Sequence, residues 1–341
     1  MLTDNLCGAE SISTYTISHM LNSSNRPKRH PRSYAKLLKR RTVVQLLLLG
    51  IILYVVAIGI GGLRLSMDAI RSADPLLLAV AAVTVALSYV LAAMTYILLA
   101  VRRLRFGPTL LVQISGGLVN RLLPGGLGGL GINAYYLKKC GHSLPEAMTI
   151  VATNNLLGLV GNVLLILGVG AFFPATFPAL PKLSVAWQIY ALGSVMLVAL
   201  ILYIRAHQAI TGLMVRSLRQ MWQYILLSAR RPRRTSAALL SSCALTALHA
   251  TAMYAVLLAV GVELPWPVSL LAISSGALAG AAIPTPGGLG GAEAGIVAIL
   301  LAFDVTSGIA VAAALVYRGL TYWLPLVPGY LALRVVEKRY L

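Results

Sequence analysis

The chain has 341 residues, 58% of them hydrophobic and only 11% charged, with a mean hydropathy of +0.83. Apolar runs of membrane-spanning length recur along it, which excludes an ordinary soluble domain. The net charge of +19 then points to basic loops beside a membrane rather than to nucleic acid.

Residues 1–25 are polar and rich in Ser, Thr and Asn, without the apolar core of a signal peptide. Residues 26–41 carry eight Lys and Arg and no acid, so 1–42 is expected to be a disordered basic cytoplasmic tail. A first span is predicted at 43–63 and a second at 76–101, closed by Arg102, Arg103 and Arg105. Two shorter apolar pieces follow at 108–123 and 127–137, of 16 and 11 residues, and then Lys138 and Lys139. A full span needs about 20 residues, so these read as a re-entrant hairpin. Ser143 and Glu146 have the spacing of a capping box and open a span that runs to about residue 170. Another span is predicted at 187–204. Residues 205–234 form a basic linker with seven Arg and no acid, in which an interfacial helix is plausible. The second half, 235–336, offers a span at 236–260, a second hairpin from 267–283 and 292–302, and a long segment at 306–336. A short cytoplasmic C-terminus, 337–341, closes the chain.

Between the arms of each hairpin stands the same hexapeptide. It runs Pro124, Gly125, Gly126, Leu127, Gly128, Gly129, and again Pro286, Gly287, Gly288, Leu289, Gly290, Gly291. The offset is 286 − 124 = 162. Proline removes a donor, and each glycine costs a helix about 1 kcal/mol against Ala. Each copy, with Pro284 before the second, is therefore expected to be a chain break at membrane depth. Matching breaks in two halves point to a transporter's central site. Gly126–Gly131 also fits G-x-G-x-x-G, but no soluble βαβ unit surrounds it, so a dinucleotide site is rejected.

Charge supports the arrangement. Of the 28 Lys and Arg, 23 fall on the proposed inner segments, three on the outer loops, and two, Arg121 and Arg318, within the membrane. The hairpins then enter from opposite sides, as in inverted-repeat carriers. Arg121, Arg318 and Glu293 are costly at the bilayer centre and should face inward and pair. One carboxylate cannot neutralise two guanidinium groups, and Arg grips phosphate bidentately. The half-helix N-termini at the breaks should also attract anions. Asn154, Asn155 and Asn162 are read as inter-helix hydrogen-bonding residues, and His249 as a packing residue. Cys7, Cys140 and Cys243 fit no metal or redox spacing. No H-E-x-x-H, G-x-S-G or intramembrane aspartyl pair marks an enzyme.

Asn120 through Gly126, the run from Ile283 through Pro284 to Glu293, and Tyr317-Arg318 resemble the transmembrane domain of lysylphosphatidylglycerol synthase/flippase proteins. The resemblance covers about residues 40–336 and implies an inner-membrane lipid flippase domain with two re-entrant hairpins. The family's bifunctional members add a soluble aminoacyl-transferase domain, so this chain is similar to the stand-alone members. Many relatives carry an acidic-Arg pair where Asn154-Asn155 stands.

The expectation is an all-α polytopic membrane protein with six full spans and two re-entrant hairpins. It would move an anionic phospholipid or polyprenyl-linked lipid between leaflets by alternating access. Arg121, Arg318, Glu293 and Asn120 would line the substrate site. Other readings are a carrier for a small soluble anion and a membrane scaffold. The expected partners are phosphate-bearing membrane lipids, with a homo-oligomer left open. No catalytic residue, metal or cofactor is expected.

Overall fold

A computed structural model describes residues 68–122, 127–173, 232–283 and 285–340. The predicted spans at 43–63 and 187–204, the basic tail and the linker through 231 lie outside the described residues. So do Pro124, Gly125 and Gly126 at the first break, and Pro284 at the second.

All the regular elements described are helical. They are α1 (Pro75–Leu99), α2 (Phe106–Leu122), α3 (Leu127–Lys139), α4 (Leu144–Phe172), α5 (Pro232–Ala259), α6 (Trp266–Ala282), α7 (Gly291–Ala302) and α8 (Ser307–Arg318). A π-helical turn (Gly319–Trp323) and α9 (Leu326–Tyr340) complete them. Among the described residues four helical segments are long and apolar enough to cross a membrane: α1, α4, α5 and the continuous Ser307–Lys338. The arms α2, α3, α6 and α7 hold 17, 13, 17 and 12 residues. At 1.5 Å per residue they reach about 18–26 Å, short of the roughly 30 Å hydrocarbon core.

Local chemistry sets the helix starts. The Asp74 carboxylate accepts the Leu76 N–H at 2.7 Å, with Pro75 at the first helical position of α1. Ser143 and Glu146 form the predicted capping box on α4, at 3.3 and 2.8 Å.

Helices α1 and α5 pack antiparallel along their length. The Asp74 N–H donates to the Ala259 carbonyl at one end, and Thr95 Oγ1 bonds Ser241 Oγ at the other, both at 3.1 Å. Ala81, Ala252, Met253, Val256 and Leu257 are fully buried or nearly so along this seam. Small residues let the backbones approach, which favours close packing where no water drives association.

Two apolar clusters lie at opposite ends. One gathers Leu99, Val112, Leu137, Ile150, Ala238 and Val336, near the end that carries Arg102, Lys138 and Arg334. The other gathers Ala81, Val260, Leu300, Val305 and Ala310, near Asp74, Glu263 and Asp304. The first hairpin, α2–α3, is rooted in the basic end, and the second, α6–α7, in the acidic end. Their tips point toward each other. The first break is narrower than the sequence suggested. Gly128 and Gly129 lie in the first turn of α3, and Gly291 opens α7. Gly128 is needed for close approach: a Cβ there would run into the Val119 backbone of the facing arm.

Candidate functional site

Arg121, the penultimate residue of α2, reaches from the first hairpin tip to the middle of two spanning helices. Its Nη2 donates to the Tyr89 hydroxyl at 3.2 Å and to the Thr321 carbonyl at 2.6 Å. Tyr89 is near the middle of the 25-residue α1. The Thr321 carbonyl is available for a sequence reason. In an α-helix it would accept from residue 325, and Pro325 has no N–H. The π-helical turn Gly319–Trp323 forms just before that proline, and the Leu324 N–H reaches back to Gly319 at 2.8 Å. Gly117 leaves room for the guanidinium, since a Cβ there would sit 2.9 Å from Arg121 Nη1.

No carboxylate pairs with Arg121 among the described residues, and its Nη1 is buried without a hydrogen-bond partner. An unpartnered buried donor costs roughly 1–3 kcal/mol. His249 Nδ1, on α5, is buried and unpartnered as well.

Arg318, the last residue of α8, is held differently. Its Nε donates to Glu293 Oε1 at 2.7 Å and its Nη2 to the Gly287 carbonyl at 3.0 Å. The Tyr322 ring lies beneath it, 4.6 Å from Cζ to the centroid. The same ring is 5.9 Å from the Arg121 Cζ, and its hydroxyl donates to the Arg121 carbonyl at 3.4 Å. Tyr322 therefore joins the two arginines. Gly287 must be glycine for this: its φ is +60°, and a Cβ would collide with the Tyr322 ring.

The half-helix N-termini carry side-chain caps. Glu293 Oε2 accepts the Gly290 N–H at 2.7 Å, so the start of α7 is capped by its own carboxylate. Asn120 Oδ1 accepts the Gly129 N–H at 3.3 Å at the start of α3. At each end one N–H is thus held by a side chain.

Arg121, Asn120, His249, Gly117 and Thr321 line two adjoining cavities of about 420 and 500 Å³. Asn154 and Asn155 line the first, and Arg318, Gly287 and Gly288 the second. Glu293 lies behind Arg318. Of the α4 asparagines, Asn162 makes the expected inter-helix bond, accepting from Ser274 Oγ at 2.9 Å, while Asn154 and Asn155 face the cavity. Sequence reading missed Tyr89, Gln113, Asn133, Thr321 and Tyr322. Gln113 and Asn133 did carry a signal, being polar groups inside half-span arms. Tyr322 stands four residues after Arg318, one helical turn on.

The family model of the lysylphosphatidylglycerol synthase TM region matches residues 43–329. The chain belongs to this family. No curated protein matches the chain significantly. The matched lysylphosphatidylglycerol synthase TM region takes in Arg121, Arg318 and both glycine-rich breaks.

Proposed function

We propose that the protein moves a phosphate-bearing lipid between membrane leaflets, with the headgroup passing through the central cavity and the tails staying in the bilayer. One observation carries the reading. Arg121 places a guanidinium at mid-depth with no carboxylate partner among the described residues, and its buried Nη1, unpartnered among them, is suited to a ligand's phosphate oxygen. Arg318 forms the far wall, held by Glu293 until the phosphate competes for it.

Alternating access follows from an inverted repeat. The starts of α1 to α4, shifted by 162 residues, fall at 237, 268, 289 and 306. Helices α5 to α8 start at 232, 266, 291 and 307. Because α1 and α5 run antiparallel, the matching halves would be related by an axis in the membrane plane. On this reading the domain spans 43–336, with halves at 43–204 and 235–336. It sits in the cell (inner) membrane with both termini cytoplasmic.

The test is lipid translocation in proteoliposomes, using fluorescent phosphatidylglycerol and chemical quenching of the outer leaflet. Arg121→Gln is expected to slow translocation about tenfold or more, as loss of a charged hydrogen bond implies. An unchanged rate in a correctly folded Arg121→Gln protein would overturn the reading.

A further inference from the structure

Arg121 divides the polar interior into two lobes of different chemistry. The lobe of about 420 Å³ is lined by five carboxamides, Gln113, Asn120, Asn133, Asn154 and Asn155. Its volume falls within the roughly 300–1,000 Å³ of small-molecule sites. The lobe of about 500 Å³ holds Arg318 and the second hairpin's glycines. Arg121 and His249 border both lobes.

Each carboxamide offers an oxygen acceptor and two N–H donors. A set of them matches groups that both donate and accept, which describes hydroxyls. The lining is only partly engaged within the protein. Gln113 Nε2 donates to Asn133 Oδ1 at 2.7 Å, Asn133 Nδ2 donates to the Gly129 carbonyl at 2.8 Å, and Asn120 Oδ1 serves the start of α3. Among the described residues this leaves the Gln113 oxygen, the Asn120 amide nitrogen and the side chains of Asn154 and Asn155 open to a ligand.

Charge narrows the class further. The sequence has nine acids, and Glu293 is the one set within an apolar membrane segment. Its two oxygens are taken by Arg318 and the Gly290 N–H. A cationic headgroup would thus enter a lobe that presents Arg121 and no free carboxylate. An uncharged hydroxylated group meets no such repulsion.

We propose that the cavity takes a phosphate ester of a sugar or other polyol. The phosphate sits at Arg121 Nη1 beside His249, and the hydroxyls lie among the carboxamides. This rests on the lipid-transport reading for its source, a lipid headgroup; a free polyol phosphate shares the chemistry.

The experiment uses the full chain in proteoliposomes with acyl-labelled phosphatidylinositol, phosphatidic acid and phosphatidylethanolamine. Phosphatidylinositol is expected to move about tenfold faster than either of the others, the worth of one or two hydrogen bonds. In the Asn154→Ala, Asn155→Ala protein that preference is expected to fall toward one. Translocation indifferent to headgroup in the wild type overturns this inference and leaves the transport reading intact. A parallel arm follows efflux of entrapped inositol phosphate. Efflux without movement of the inositol lipid supports the headgroup chemistry and overturns the lipid source. If no probe moves, the transport reading fails, and thermal unfolding of the wild type decides the inference. Inositol phosphate is then expected to stabilise more than inorganic phosphate at equal concentration, and equal stabilisation overturns it.

Discussion

Arg318 commits its guanidinium to three neighbours, the Glu293 carboxylate, the Gly287 carbonyl and the face of Tyr322. Its side chain and that of Glu293 are only 12% and 15% exposed, so the pair is well desolvated. Removing one partner is expected to cost about 3–5 kcal/mol, whereas Arg318→Met with Glu293→Gln can be nearly neutral. Thermal unfolding and lipid translocation of the three variants separate packing from binding. The double variant is expected to be stable and inactive; a stable and fully active one would leave Arg121 as the sole phosphate contact. Glycine in the second break gives a graded prediction. Gly288 has φ +68°, and its Cβ would lie 2.8 Å from the Gly280 backbone. Gly290 has φ +85° with nothing within 4 Å. Gly290→Ala is therefore expected to cost about 1–3 kcal/mol from backbone strain alone, and Gly288→Ala more because its Cβ also meets the Gly280 backbone. Thermal unfolding giving the reverse order would contradict this packing of the tip.

At the scale of elements, the hairpins are held at their roots as well as at their tips. The turn after α3 is clasped to the turn after α1 by His142, which is buried at 3% exposure. Its Nε2 accepts the Arg102 N–H at 3.3 Å, and its Nδ1 donates to the Leu137 carbonyl at 3.1 Å. Burial pushes the imidazole below its usual 6.5, and the nearby Arg102 charge acts in the same direction, against the Leu137 bond and Glu146. The folded protein keeps the ring neutral, while the unfolded chain takes up a proton near pH 6.5. The clasp's contribution is thus present above that pH and is lost as pH falls below it. The wild-type melting temperature is expected to drop more between pH 7.5 and 5.5 than that of His142→Gln. Parallel curves would remove His142 as a source of acid sensitivity.

For the whole molecule, the decisive question is which face of the membrane each end occupies. The basic end carries Arg102, Lys138, Lys139 and Arg334, and the acidic end Asp74, Glu263 and Asp304. By the positive-inside rule the basic end is expected to face the cytoplasm. Single cysteines at Lys139→Cys and Glu263→Cys, with Cys7, Cys140 and Cys243 replaced, test this with a membrane-impermeant thiol reagent. Glu263→Cys is expected to react from outside, and Lys139→Cys only after permeabilisation. Outside labelling at 139 would rule out a first hairpin rooted in the cytoplasm.

Composition, segment length and the twin hexapeptides determined the helical membrane class and the short helices that flank each break, because lipid forces backbone hydrogen bonds inside each helix and leaves a local, readable pattern. Helix starts were legible for the same reason: Asp74 and Ser143 cap their own chains within a few residues. The pairing of Arg318 with Glu293 was also foreseeable, since one intramembrane acid stands among two arginines. What bonds Arg121 was not. Its partner is a main-chain carbonyl 200 residues away, freed by Pro325 and placed by the packing of α9 on α2. The carboxamide lobe was equally hidden, because Gln113, Asn133 and Asn154 lie on three different helices whose shared surface exists only once they pack.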